Sequence, residues 1–423
     1  VGLVTTSDLC GRVLAEGRPA TTPVGDVMTA SPIALPREAV GVDALRLMAE
    51  HGIGHLPVTE GRRPVGIVTR TNLIVSEGLS PAVLLSGVAA AGSVADMAAV
   101  VARVPQLLAQ MVGAGGPHQV VTRLVTDVTD AVTHRLLAMA EAELGPPPAP
   151  YLWAVCGSQG RQEQTGTSDQ DNCLILSDEA TPDDDAYFER LARIVSDGLD
   201  ACGFVYCPGE MMATNPRWRQ PVSVWRRYFR GWIDRPDPMA QMLASVMFDL
   251  RAIGPDGDLL DDLRADTLAR AKQNSIFIAH MVANSLKHQP PLGLFRGFAL
   301  IRSGEHKNRL DLKHSGVVPV VDLGRLYALM GGLTAIGTRP RLLAAREAGL
   351  ISEDGGNALI DAYDLIADRR LAHQAAQVRR GEKPDNFMLP ATLSDLERSH
   401  LRDAFIVIKT MQAAAAQGRH TVV

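Results

Sequence analysis

The sequence predicts a multidomain chain of the α/β and α classes: an N-terminal α/β repeat with a truncated first copy, a helical spacer, a second α/β domain and a C-terminal helical bundle. Three observations predict it. The segment Val1 to Leu9 recurs 64 residues later. A buried strand runs through a glycine–serine bend toward a second strand that opens with two acids. Through the last third, apolar residues return at spacings of three and four, the helical period.

At 423 residues the chain is long enough for several domains of roughly 150 residues each, every one able to bury its own core. Lysine and arginine number 42 against 47 aspartate and glutamate, a net charge of −5. That balance exerts no global pull on nucleic acid or anionic lipid, so any anion site must be local. The cysteines Cys10, Cys156, Cys173, Cys202 and Cys207 show no paired short spacing, which predicts reduced thiols in a cytoplasmic protein. No apolar run approaches the roughly 18 residues of a membrane helix.

The first element is the repeat. Val1-Gly-Leu-Val-Thr-Thr-Ser-Asp-Leu9 is answered by Val65-Gly-Ile-Val-Thr-Arg-Thr-Asn-Leu73, each a β-branched strand leading into a helix capped by a hydroxyl or acid. Between them, Val42, Leu45, Met48 and Ala49 recur at helical spacing before His55-Leu-Pro-Val58 returns to strand. The first copy lacks everything ahead of its last strand and the chain opens on Val1, so the expectation is a piece of a longer polypeptide.

This repeat resembles the CBS domain, which works in tandem pairs that bind adenine nucleotides. The resemblance implies AMP or ATP held by Gly2, Thr5 and Asp8 in one copy and by Gly66, Thr69 and Asn72 in the other, hydroxyl on phosphate and carboxylate on ribose. Asn72 departs from the acidic pattern. The other reading of the repeat is a packing module, and the expected assembly is a homodimer. These readings place the repeats at 1–80.

From 93 to 145, Met97, Val100, Val104, Leu107, Val121, Leu124, Val128 and Val132 trace a helical hairpin broken at Gly113-Ala-Gly-Gly-Pro117, expected to act as a spacer. Gly145-Pro-Pro-Pro-Ala-Pro150 cannot continue a helix, which sets a domain boundary.

The chemistry follows at once. Tyr151-Leu-Trp-Ala-Val-Cys156 reads as a buried strand, and the bend Gly157-Ser-Gln-Gly-Arg161 lets backbone approach an anion closely. In Ser168-Asp-Gln-Asp-Asn-Cys173, Asp169 and Asp171 stand two apart in extended chain and share a face. Two adjacent carboxylates are costly unless a cation neutralises them, and magnesium suits oxygen ligands and phosphates.

These residues resemble the nucleotidyltransferase superfamily that includes DNA polymerase beta, and within it the transferase domain of the PII uridylyltransferases, in the branch where that domain follows CBS repeats. The resemblance places the domain at 151–257. It implies that Gly157 and Ser158 hold the phosphates of UTP or ATP, with Arg161 nearby, that Asp169 and Asp171 bind magnesium, and that Glu163 fixes the turn. An acceptor hydroxyl, carried by a protein in the uridylyltransferases, would attack the α-phosphorus.

Active members add a third carboxylate on a later strand. Gly203-Phe-Val-Tyr-Cys207 is the expected strand, with Glu210 and Asp249 as candidate acids and an N-cap or an ion pair to Arg251 as the alternative role of Asp249. Gln170 and Asn172 are polar where apolar residues are usual, and are expected to support the carboxylates. The Arg and Trp residues of 215–230 read as an amphipathic helix edge, not a nucleic-acid surface.

After 258 the pattern is helical to 423. The basic loop Glu305 to Lys313 offers Lys313 to the triphosphate or acceptor. The chain contains no His-Asp dipeptide, the hydrolase mark of the uridylyltransferases. The expectation is thus a magnesium-dependent nucleotidyltransferase gated by adenine nucleotide; the alternative is a nucleotide sensor that holds its ligand without turning it over.

Overall fold

The computed structural model describes residues 2–39, 41–61, 63–69, 80–166, 168–293 and 297–418. It divides into two compact units, 1–80 and 81–423. In the first, β1 (Gly2–Leu3) pairs antiparallel with β2 (Thr29–Ala30), while β3 (Leu35–Pro36), β4 (His55–Glu60) and β5 (Arg63–Thr69) form a three-stranded sheet. Alternate strand residues and the helix Gly41–His51 supply its small core, with Leu35, Ala44, Met48 and Leu56 buried. The side chains of Val42, Leu45 and Ala49 lie outside the described residues, as does the helix expected after Thr69.

The second unit is built on a sheet of order β8-β7-β6-β9, with β6 at Tyr151–Val155, β7 at Asn172–Leu176, β8 at Arg219–Pro221 and β9 at Arg251–Ala252. Its central strands are buried along their whole length, so they read as continuous apolar runs. The helix Val222–Asp234 covers one face through Trp225, whose indole N–H donates to the Leu174 carbonyl at 3.0 Å.

The expected spacer is instead part of this body. The helix His118–Leu144 carries Val121, Val125, Val128, Val132 and Leu136 as one buried stripe against the helix Asp185–Ala201. Leu136 approaches so closely that a Cβ on Gly198 would lie 2.4 Å from its Cδ2. A long helix with an apolar stripe must cover it, and the helix Asp185–Ala201 supplies the cover. The helix Val104–Gly113 packs on the helix Glu353–Arg379. The proline run therefore turns the chain without separating two bodies.

The C-terminal helices, including Val318–Gly331, Thr338–Glu347 and Asp395–Ala416, share one core with the sheet, in which Leu152 and Ile175 join Leu326, Tyr327, Leu359 and Phe405. The segment expected as a strand over 203–207 is reduced to one parallel bridge between Asp169 and Val205. Gly203 has φ +96° and Val205 is exposed, so this stretch lacks the apolar faces that would extend the sheet.

Candidate functional site

The bend after β6 is shaped by what it must admit. Gly157 has φ +58°, and a Cβ there would stand 2.4 Å from Oδ2 of Asp171, so only glycine leaves room for that carboxylate. Asp171 is held in line by its own carbonyl, which accepts the Cys156 N–H at 3.0 Å, and Asp169 by its bridge to Val205. The result brings Asp169 and Asp171 together with Cys207, their donor atoms all within 4.8 Å of one another. Burial, then the neighbouring charge of Asp169, pushes the Asp171 carboxyl up to about 6. Two oxygens of like charge beside a sulfur fit a divalent cation, which would relieve that repulsion.

Asp169 of the pair opens onto a pocket between the bend and the C-terminal helices. Ser158, Arg161 and Asp169 line one side, Lys313 and Arg370 another. The positive charge of Lys313 reaches Asp171 and partly offsets its upward shift. Arg370 donates to Asn386 Oδ1 at 2.6 Å and Thr165 Oγ1 at 3.3 Å. Neither cation has a carboxylate within 4.0 Å among the described residues, and burial lowers the Arg370 guanidinium to about 10. Half-buried cations without a carboxylate in contact favour an anionic ligand.

Arg161 is anchored rather than free: its Nε donates to Glu163 at 2.8 Å and an Nη to Asp249 at 2.6 Å. Glu163 in turn accepts the backbone N–H and hydroxyl of Thr338, at 2.6 and 3.1 Å, which fastens the bend to a C-terminal helix. Its expected role at the turn thus extends to fastening the bend to the helix Thr338–Glu347.

Asp249 does not join the acidic pair. It is fully buried, and its oxygens accept from Arg161, Arg325 and Arg341 at 2.5 to 3.1 Å. Burial alone would raise its carboxyl, but Arg325, Arg341 and Arg161 hold it well below the usual range. With every lone pair committed, it cannot serve as metal ligand or base without dismantling this cluster. The alternative pairing is also replaced, since Arg251 bonds Asp130 at 2.8 Å. Glu210 sits at φ +53° in an exposed turn and is not among the groups clustered with Asp169 and Asp171 in the described residues.

Gln170 and Asn172 turn away from the carboxylates. Gln170 donates to the Ser196 and Phe204 carbonyls and Asn172 accepts the Ala213 N–H, so these buried amides pin the 203–213 segment beside the sheet and thereby place Cys207. Arg217 lies over the Trp218 ring at 4.7 Å and Arg219 bonds Asp185, which accounts for the arginine–aromatic stretch structurally.

In the first unit, Thr5 and Asp8 form a reciprocal cap: the Thr5 hydroxyl donates to Asp8 at 2.7 Å and accepts its N–H at 3.3 Å, while Arg12 pairs with Asp8 at 3.2 Å. A Cβ on Gly2 would meet Met28 at 2.4 Å, so this glycine allows β1 and β2 to close. Gly66 and Thr69 lie on β5, and Asn72 is outside the described residues.

Sequence reading missed Arg370, Thr165 and His118, which also line the cavity. No local motif marks them: His118 and Arg370 reach it through the packing of distant helices, and Thr165 lies in the loop between the bend and Asp169. The described residues include no helix long and apolar enough to cross a membrane.

Comparison with known proteins agrees with this architecture. Residues 24–76 match the CBS domain, residues 102–239 the family described as "Putative nucleotidyltransferase DUF294", and residues 275–418 the "Putative nucleotidyltransferase substrate binding domain". The chain is 38% identical over 77 residues to the uncharacterized protein YlbB of Bacillus subtilis, covering 18% of this chain and 52% of that protein. It is 36% identical over 76 residues to the CBS domain-containing protein YhcV of the same organism, covering 18% and 54%. Over 74 residues it is 36% identical to the CBS domain-containing protein CBSCBSPB2 of Arabidopsis thaliana, covering 17% and 14%. It thus spans about half the length of the two bacterial relatives and a smaller share of the plant one. In this order along the chain, its segments are thus similar to a CBS domain, to the family described as "Putative nucleotidyltransferase DUF294" and to the substrate binding domain described with it.

Proposed function

We propose that this chain moves a nucleoside monophosphate from UTP or ATP to an acceptor hydroxyl, carried by a protein, in the cytoplasm. The observation that carries this reading is the cavity that brings Asp169, clustered with Asp171, together with the cations Lys313 and Arg370. A triphosphate needs both: a cation site at its α-phosphate and positive charge for the departing pyrophosphate.

Asp169 and Asp171 would hold magnesium, which when bound supplies charge neutralisation at the reacting phosphate. Ser158 and the Gly157 backbone border the phosphates, and Lys313 with Arg370 receive the β and γ phosphates. The acceptor oxygen forms a bond to the α-phosphorus as the bond to the bridging oxygen breaks. That oxygen leaves with its electron pair on pyrophosphate. Adenine nucleotide at the CBS repeat, AMP or ATP, would regulate the rate.

The donor clustered with the acidic pair is the sulfur of Cys207 rather than a third carboxylate, and this favours a second reading, a sensor that binds nucleotide without turnover. Incubation with each labelled nucleoside triphosphate, magnesium and a host lysate separates the two. Transfer of label with release of pyrophosphate is expected; retention of intact triphosphate on the protein would leave only the sensor.

A further inference from the structure

We propose that His118, oriented by Asp364, is the proton acceptor for the incoming hydroxyl, an inference that rests on the transfer reading above. His118 opens the helix His118–Leu144 and is 3% exposed, yet it lines the same cavity as Ser158 and Asp169. Its Nε2 lies 2.9 Å from Oδ1 of Asp364. A carboxylate there accepts, so Nε2 carries the proton and Nδ1 keeps a lone pair. Nδ1 has no hydrogen-bond partner among the described residues.

The residue is fixed from three sides. The His118 backbone N–H donates to Asp368 at 2.9 Å, Tyr363 meets the imidazole edge-on at 5.3 Å, and Asp364 holds Nε2. Asp364 is itself steadied by Arg339, 3.3 Å from its other oxygen. A base, an orienting acid and a packed ring make a preorganised dyad.

Elimination among the described cavity-lining groups points the same way. The imidazole and carboxylate side chains there are those of His118, Glu163 and Asp169. Glu163 spends both oxygens on Thr338 and Arg161. Asp169 belongs to the acidic pair. His118 remains, and it occupies the role left open by Asp249 and Glu210.

In the step, the lone pair on Nδ1 takes the hydroxyl proton as the oxygen–phosphorus bond forms, and pyrophosphate leaves with the electrons of the broken bond. The imidazolium so formed is stabilised by Asp364 and later returns its proton to solvent. Its charged surroundings are Asp364 and Asp368 on the helix Glu353–Arg379, Arg339 on the helix Thr338–Glu347, Arg161 and Glu163 on the bend, Arg123 on its own helix, and Lys313, Arg370 and Asp169 around the cavity.

The test uses the full chain with saturating magnesium and nucleoside triphosphate. His118→Gln should lower kcat about 100-fold or more with KM for nucleotide within about threefold, and should remove the acidic limb of the kcat–pH profile. Asp364→Asn should lower kcat about tenfold or more and shift that limb, because the amide no longer dictates the tautomer. Binding of a fluorescent nucleotide to each variant, measured in parallel, reports whether the cavity is intact. A His118→Gln protein that binds nucleotide and keeps the parental kcat and limb overturns this proposal alone. A parental chain that binds nucleotide but releases no pyrophosphate with any acceptor overturns it together with the transfer reading.

Discussion

Oδ2 of Asp171 occupies the space that a side chain on Gly157 would need, 2.4 Å from the position of its Cβ. The glycine of the bend and the second acid of the pair are therefore one steric unit. Gly157→Ala should displace the Asp171 carboxylate, adding also the strain of φ +58° for an L residue. We expect metal-dependent turnover to fall at least tenfold with the fold retained, checked by activity and circular dichroism on the same preparation.

Asp169→Asn and Asp171→Asn each remove one hard oxygen donor and one negative charge from the cluster. Both should abolish metal-dependent transfer, a loss of about 1000-fold or more for removal of a charge-stabilising group at the reacting centre. Both should leave melting temperature unchanged or raised in the absence of metal, because each relieves like-charge repulsion. Calorimetric titration with magnesium and with manganese checks the loss of binding directly.

The acidic pair also sets a pH dependence. Burial and then Asp169 raise Asp171 to about 6, so between the ordinary carboxylate range and that value the folded chain holds more protons than the unfolded one. Apo stability from this group accordingly declines as pH rises through that window. Metal binding has the opposite sign, since only the ionised carboxylate coordinates: affinity should climb up to about tenfold per pH unit below 6 and level off above it. Metal-induced thermal shifts at pH 5 and pH 7.5 measure the contrast.

Lys313→Gln and Arg370→Gln should each weaken nucleoside triphosphate binding about 10- to 100-fold, the size of one lost charge-assisted hydrogen bond. Monophosphate affinity should change far less, because the cations are assigned to the distal phosphates. Lys313→Gln should nearly preserve stability, while Arg370→Gln also gives up the bonds to Asn386 and Thr165 and should cost about 1 to 3 kcal/mol. Competition binding with mono- and triphosphates provides the comparison.

Asp249→Asn is predicted to act on stability. The carboxylate neutralises three buried guanidinium groups, and its loss leaves Arg161, Arg325 and Arg341 in mutual repulsion. The cost should be about 3 to 5 kcal/mol, read from a denaturant midpoint. Because its folded carboxyl is held below the ordinary range, the stabilisation is present at neutral pH and lost only as pH falls through the acidic region. A catalytic acid would instead lose turnover with little change in melting.

The acidic pair and the bend were legible because their geometry is local: extended chain puts Asp169 and Asp171 on one face, and Gly157 follows a buried strand directly. Asp249 misled for the opposite reason. Nothing beside it in the chain announces Arg325 and Arg341, which are 76 and 92 residues away, so its neutralisation is invisible until helices pack. Gln170 and Asn172 likewise face backbone groups of a later segment, which no spacing rule reveals.

By itself the sequence determined the CBS-type domain, the strand–bend–strand that carries the acids, and the helical character of the last third, because hydrophobic period and turn chemistry act over a few residues. Only the tertiary structure decided that the proline run divides nothing, that Asp249 is an anchor, and that His118, Lys313 and Arg370 share a cavity with Ser158. Those outcomes depend on which apolar stripes bury one another, and burial in turn determines which charges are neutralised and which remain available to a ligand.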